Sequence, residues 1–251
     1  MLNIIISSFL LAFANAGQLP SRVVSLSPAH TQTLIDLGLE DKIVCAAKPF
    51  DVIKTKHKVN SVGFYHKPSI ELIISCKPDL ILMTYAGTPP ELYNKLRTAG
   101  YNVLVDQPKD LNSIKEFILK LSDIFQIKRP KIIKSFDSIC EQKASYTGIM
   151  VIGFDPLVVV GKDSFVSDAL RCAGLDNPIK GLYPRLNIES ILSYKKDVIV
   201  VAVKDFKNFK DYRLISSSFK GKIVYIDPDK ILLPSTGIIK GIGTLKDLIK
   251  D

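Results

Sequence analysis

Short apolar runs alternate with amphipathic stretches along most of the chain. Val23-Val-Ser-Leu reads as a strand, Pro28 to Leu37 as a helix stopped by Gly38, and Lys42-Ile-Val-Cys-Ala as the next strand. A loop rich in Lys, His and Pro follows. The pattern then predicts a helix from Ser69, a strand at Leu80-Ile-Leu-Met, a helix from Pro90 to Thr98 and a strand at Asn102-Val-Leu-Val. Beyond the middle of the chain the alternation resumes, with strands at Ile149-Met-Val-Ile, Leu157-Val-Val-Val, Val198-Ile-Val-Val-Ala and Ile223-Val-Tyr-Ile. A helix spans Ser164 to Cys172, and another closes the chain after Gly243. Such alternation predicts parallel sheets with helices on their faces, one in each half.

Between the halves lies a block, Lys109 to Ser145, with two helical stripes. Ile114, Phe117, Ile118, Leu121, Ile124 and Phe125 form the first, opened by Ser113 and Glu116 in capping-box form. Pro130 suits the first turn of the second, whose stripe is Ile132, Ile133, Phe136, Ile139 and Cys140, fading near Ser145. Such a pair is either a layer of one domain or a strut between two lobes. An internal repeat favours the strut. The segment from Ser69 to Thr84 aligns without gaps on Asn187 to Ala202, with matching Ile, Glu, Ser, Lys and Asp positions. Both copies are a capped helix running into a strand. The repeat sets Glu71 and Glu189 at equivalent places, each two residues after an N-cap. They serve either as helix N-terminal carboxylates or as matched negative posts offered to a partner.

The first thirteen residues are apolar and polar-neutral and lead to Ala14-Asn15-Ala16, an A-x-A cleavage pattern, so residues 1–16 read as a secretory leader. A buried N-terminal strand is the alternative. No Lys or Arg precedes Arg22, so the net charge of +9 belongs to the mature part. Its lysines are scattered, and the densest run, Lys204 to Asp211, interleaves acids. No nucleic-acid motif accompanies them, and a solvated surface is the reading. The four cysteines, Cys45, Cys76, Cys140 and Cys172, lack C-x-x-C spacing and sit in apolar stretches. The spacing speaks against a zinc site; packed core thiols are expected, with a disulfide open to an exported chain.

Reaction chemistry is sparse. No G-x-G-x-x-G, Walker loop or G-x-S-x-G occurs, and Gly161-Lys-Asp-Ser lacks phosphate-cradling glycine spacing. His30, His57 and His66 are too scattered for a metal cage; His30, early in a helix, reads as a surface or capping group. Asp227 and Asp229 flank Pro228 after a strand, which is turn chemistry at a place where α/β lobes also bind ligands. Binding is therefore favoured over catalysis. A secreted α/β enzyme would have to draw on Ser27, His66 and Asp229.

Arg22-Val-Val-Ser-Leu-Ser-Pro-Ala-His-Thr, Pro68-Ser-Ile-Glu-Leu-Ile with Lys77-Pro-Asp-Leu-Ile, Gly161-Lys-Asp-Ser and Tyr183-Pro-Arg-Leu-Asn-Ile-Glu-Ser-Ile-Leu, in that order, carry a resemblance. The chain resembles the periplasmic binding proteins for vitamin B12, ferric siderophores and haem that serve ABC importers, and within them those that bind vitamin B12. The resemblance implies a class III, helical-backbone α/β fold: two Rossmann-like lobes joined by a long rigid inter-lobe helix, here about 130–145. The implied boundaries are a leader at 1–16, an N-terminal lobe at 17–110, a helical block at 111–147 and a C-terminal lobe at 148–251. It further implies a monomer that clamps its ligand between the lobes, has no intrinsic cofactor, metal site or nucleic-acid partner, and delivers cargo in the periplasm to a permease dimer with ATPase subunits. Glu71 and Glu189 would dock in arginine pockets of that permease. Tyr65 and Tyr183 would pack on a corrin ring, or alternatively within their lobes, with a polar contact from Asp229. Thr84, with Tyr85 beside it, stands where the B12-binding members have a further aromatic, and Leu233 where they have an arginine. For haem or a ferric siderophore, Tyr65, His66 and Tyr183 would face iron, and Arg185 would hold anionic groups.

Overall fold

β-Branched runs between turn residues form the strands of the computed structural model, which describes residues 19–49, 55–85, 87–141 and 143–250. The expected leader lies outside the described residues. The chain divides into two compact units, Met1–Gln107 with Lys115–Lys131, and Pro108–Ile114 with Ile132–Asp251.

The first unit contains β1 (Val23–Ser25), α1 (Pro28–Asp36), β2 (Ile43–Lys48), β3 (Asn60–Phe64), β4 (Lys67–Pro68), α2 (Ile70–Ser75), β5 (Leu80–Thr84), α3 (Pro90–Thr98) and β6 (Val103–Asp106). Its sheet runs β4-β3-β2-β1-β5-β6, parallel except for the β3–β4 hairpin. Alternation along each strand splits the core into two layers. Val23, Leu80 and Leu82 pack with Leu34, Phe117 and Leu121 on one face; Val24, Ile81 and Met83 pack with Ile73, Leu92 and Leu96 on the other. Every residue of β5 is buried, as a central parallel strand covered on both faces requires.

The middle block holds α4 (Leu111–Ile124), whose residues to Ile114 group with the second unit and the rest with the first, and α5 (Lys131–Ser138). The second stripe is helical for less than its expected extent. Its helix stops at Ser138 rather than Ser145: Ile133 and Phe136 are its buried residues, and Cys140 beyond it is held by its bond to Cys172.

The second unit continues with β7 (Tyr146–Phe154), β8 (Leu157–Val159), α6 (Phe165–Cys172), β9 (Leu175–Asp176), α7 (Ile188–Ser193), β10 (Val198–Val201), α8 (Lys210–Ser218), β11 (Lys222–Tyr225), α9 (Pro228–Ile231) and α10 (Ile238–Lys250). The sheet order is β11-β10-β7-β8, with β8 antiparallel and β9 pairing the start of β7. The closing helix begins at Ile238, ahead of the expected start after Gly243. Gly241 is needed within it, since a side chain there would overlap the Lys230 carbonyl. Lys246 Nζ donates to the Ile139 carbonyl at 2.7 Å and ties this helix to the end of α5.

The expected core thiols are paired instead. Cys45 bonds Cys76 within the first unit, and Cys140 bonds Cys172 within the second. Each pair joins segments 31 or 32 residues apart, a proximity no local spacing encodes.

The repeat is structural as well as sequential. Asp79 accepts hydrogen bonds from the Ser21 and Arg22 amides at 2.7 and 3.0 Å, and its own amide donates to the Arg22 carbonyl. At the equivalent place Asp197 accepts from the Thr147 amide at 2.8 Å, and its amide donates to the Thr147 carbonyl. In each unit the same aspartate staples the entrance of one parallel strand to the entrance of its neighbour.

Candidate functional site

In the first unit the strand order reverses at β1, which has β2 on one side and β5 on the other. Open parallel sheets bind ligands beyond their carboxyl ends at such a point. Four of the expected ligand-facing residues belong to this end. Tyr65 and His66 form the turn between β3 and β4, exposed, with ring centroids 5.3 Å apart edge to face. The Tyr65 amide donates to the Lys48 carbonyl at the end of β2. Thr84 ends β5 and is buried, while Tyr85 just beyond it is exposed and leans on Tyr93 at 6.4 Å. The two clusters meet through Gly87. Its backbone is left-handed, φ 95°, and a Cβ there would come within 2.8 Å of the Tyr65 ring. Tyr65 therefore lies directly against the loop that carries Tyr85.

Beneath this face lies a group the sequence misplaced. His30 is buried, not a surface or capping residue: it stacks on Phe117 at 4.8 Å, and its Nε2 lies 3.1 Å from an Asp106 carboxylate oxygen at the end of β6. The facing acid comes from a strand far along the chain, so no local pattern announces the pair. Ser27, the nucleophile an enzyme would need, is buried at the N-cap of α1, and among the described residues no hydrogen bond joins it to His66.

Glu71 and Glu189 occupy matching first turns. Ser69 caps α2 by accepting from the Leu72 amide at 3.2 Å, and Asn187 caps α7 by accepting from the Ser190 amide at 2.8 Å. Both glutamates are exposed. The Ser69 hydroxyl donates to Glu71 at 2.7 Å, and this bond, with the Glu71 backbone amide, holds the carboxyl below its ordinary pKa.

In the second unit Tyr183 and Arg185 lie on a segment paired alongside β8, where the Val159 amide donates to Pro184 and the Leu186 amide to Leu157. Partial burial pushes the Tyr183 phenol up, opposed by a hydrogen bond with Ser164. The segment is seated by Gly161, whose amide donates to the Leu182 carbonyl at 2.7 Å and which leaves no room for a side chain against Gly181. Asp229 lies at the opposite edge of the sheet, beyond β11. The structure thus separates it from Tyr183 and Arg185, and pairs it with Lys204 at 2.6 Å.

Lys204 begins the run that reads as a solvated charged surface, and there the structure adds residues the sequence reading missed. Phe206 stacks on Tyr225 at 4.9 Å and takes the edge of Tyr212 at 4.6 Å. Phe209 stacks on Phe154 at 5.5 Å. Five aromatics converge at the carboxyl ends of β7, β10 and β11. The interval of three between Phe206 and Phe209, within the lysines, was the only local signal. Among the described residues no His, Cys, Asp and Glu cluster could hold a metal ion, and no helix is long and apolar enough to cross a membrane.

Residues 23–130 match the family model described as periplasmic binding protein. The vitamin B12-binding protein of Vibrio vulnificus is 26% identical over 217 residues, covering 81% of this chain and 80% of that one. The solved periplasmic vitamin B12 binding protein of Vibrio cholerae superposes with a TM-score of 0.76 at 20% identity, covering 92% of this chain and 97% of its own. The S. aureus protein IsdE complexed with heme gives 0.74 at 20% identity, covering 93% and 100%. With two α/β units and a stapled repeat, the chain has the fold of these solved binding proteins, and its residues 23–130 are similar to the periplasmic binding protein family.

Proposed function

We propose that this protein is the exported solute-binding component of an ABC importer, and that it captures vitamin B12 or a related ring-shaped metal chelate in the periplasm. The observation that carries the reading is the set of exposed aromatic rings beyond the sheet ends, Tyr65 and Tyr85 in one unit, Tyr225 in the other, with Tyr183 beside β8. A half-exposed tyrosine offers a ring face to a flat ligand while its hydroxyl stays wet. Similarity to B12-binding relatives over four-fifths of the chain supports the ligand class. Haem is the second reading, favoured by the Tyr65–His66 ring pair, which sets two iron-ligating residue types side by side on one exposed turn.

Glu71 and Glu189 are the permease-docking posts in this reading. Each is an exposed charge on a capped helix, so its position is held while its carboxylate faces water. Exposed ion pairs contribute about 0–1 kcal/mol, so the posts set orientation and encounter rate more than affinity. Absorbance titration of the purified full chain with cyanocobalamin and with hemin tests the ligand class; binding of neither refutes it. The double variant Glu71→Ala/Glu189→Ala should bind ligand as the wild type does and lose transport, and unchanged transport would refute the docking roles.

A further inference from the structure

Glu71 and Glu189 sit on equivalent helices of the repeat, yet those helices are held at their far ends by different means. α2 (Ile70–Ser75) and α7 (Ile188–Ser193) are six residues each, and each has one buried residue, Ile73 or Ile191. A helix of that length does not persist in water by itself, and one buried residue supplies little packing to compensate. An exposed carboxylate in the first turn therefore keeps one position only if both ends of its helix are pinned. Ser69 and Asn187 pin the N-terminal ends.

At the far end of α2 the pins converge on one residue. Cys76 is the C-cap, and its disulfide to Cys45 ties it to β2, an inner strand of the sheet between β1 and β3. Arg22 donates to the Cys76 carbonyl at 2.7 Å and to the Lys77 carbonyl at 2.9 Å, filling acceptors left open at the helix end. Lys77 is left-handed, φ 47°, a conformation that glycine usually supplies at this place and that is costly for a residue with a side chain. The disulfide on one side and the guanidinium on the other thus hold the turn against its own preference. α7 has no such turn. Its C-cap Tyr194 is extended, φ −65° and ψ 136°, and Lys196 Nζ donates to the Leu192 and Tyr194 carbonyls at 3.3 and 3.0 Å. The second disulfide joins Cys172, the last residue of α6, to Cys140 just past α5, and lies on neither end of α7.

We propose that Cys45, Cys76 and Arg22 are positioning residues for the Glu71 post: disulfide and guanidinium together make a marginal helix rigid, so that its carboxylate meets the permease in one orientation. The inference rests on the docking reading above and adds to it that the two posts are unequally secured, the first through a covalent bond and the second through hydrogen bonds. Closure of Cys45–Cys76 is then a condition of delivery as well as of stability.

The test measures binding of the labelled full chain to right-side-out membrane vesicles of its host, with Glu71→Ala/Glu189→Ala defining the part of the binding that depends on the posts. Cys45→Ala/Cys76→Ala should weaken that part about tenfold, the factor expected when the helix is formed about one time in ten. Arg22→Met, which keeps the bond, should weaken it about threefold. Cys140→Ala/Cys172→Ala opens a loop of nearly the same sequence separation, 32 against 31, in the other unit, and should bind within about twofold of the wild type. Thermal melts set a temperature at which every variant is folded; should Cys45→Ala/Cys76→Ala be unfolded throughout, Arg22→Met carries the test. Wild-type binding by both Cys45→Ala/Cys76→Ala and Arg22→Met, or an equal loss in the two disulfide variants, overturns the positioning role while the docking reading stands. A glutamate double variant that binds as the wild type does overturns both.

Discussion

Breaking the two disulfides should cost the protein a large share of its stability, unit by unit. Cys45–Cys76 and Cys140–Cys172 close loops with sequence separations of 31 and 32. For loops of this length, the loss of unfolded-chain entropy amounts to about 12 cal/mol/K, or about 3.7 kcal/mol at 25 °C for each bond. Domains have a net stability of about 5–15 kcal/mol, so each bond decides whether its unit melts well above or close to the growth temperature. For units of this size the loss corresponds to a fall of roughly 10–20 °C in Tm. Calorimetry with and without reductant measures it directly, because reduction removes the bond without creating a cavity. Cys140 is the least buried of the four, so the second unit should lose its bond first under mild reductant. Cys140→Ala/Cys172→Ala should lower only the transition of that unit, leaving the first unit's unchanged. Thiol titration of the denatured, unreduced protein should find no free thiol. Four titratable thiols, or a Tm that reductant leaves unmoved, would refute the reasoning. Such bonds also fit a protein matured in an oxidising compartment.

Other consequences are local. Gly161→Ala should destabilise the second unit by about 2–4 kcal/mol, since a methyl there overlaps the Gly181 backbone and opens the pairing that seats Tyr183; a denaturation midpoint equal to wild type would contradict it. Asn177 is buried, donates to the Val160 carbonyl and the Ser167 hydroxyl, and accepts from the Ile179 amide. Asn177→Ala should cost about 2–3 kcal/mol in urea unfolding, whereas a loss below about 0.5 kcal/mol would mean that water replaces those bonds. Ser69→Ala should raise the Glu71 pKa toward the ordinary value of a glutamate, followed by NMR of the carboxyl carbon. Because the folded pKa is depressed, the stability Glu71 contributes is present above the unfolded value and lost as pH falls through the lower folded one. A Glu71 titration unchanged in that variant would remove the Ser69 bond as its cause.

Much of the architecture was legible because it is local. Val23-Val-Ser, Leu80 to Thr84 and Val198 to Val201 are β-branched or aliphatic runs too short for helices, and parallel pairing between covered strands needs no other signal. The repeat exposed Glu71 and Glu189, and it also held the Asp79 and Asp197 staples, which the alignment matched without revealing their role. The end of α5 was misread because an apolar stripe shows where a helix has a face to bury but not where the supporting surface stops.

What the sequence determined by itself is therefore the element order, the two-unit α/β class and the capped helices that carry the glutamates. These follow from propensity, periodicity and side-chain-to-backbone bonds within a few residues. Only the tertiary structure decided which cysteines meet, that His30 is buried against Asp106, and that the lysine-rich run seats Phe206 against Tyr225 and Phe209 against Phe154. It also decided that Asp229 faces Lys204 rather than Tyr183 and Arg185. Each of these depends on packing between segments distant in the chain, which no local pattern encodes.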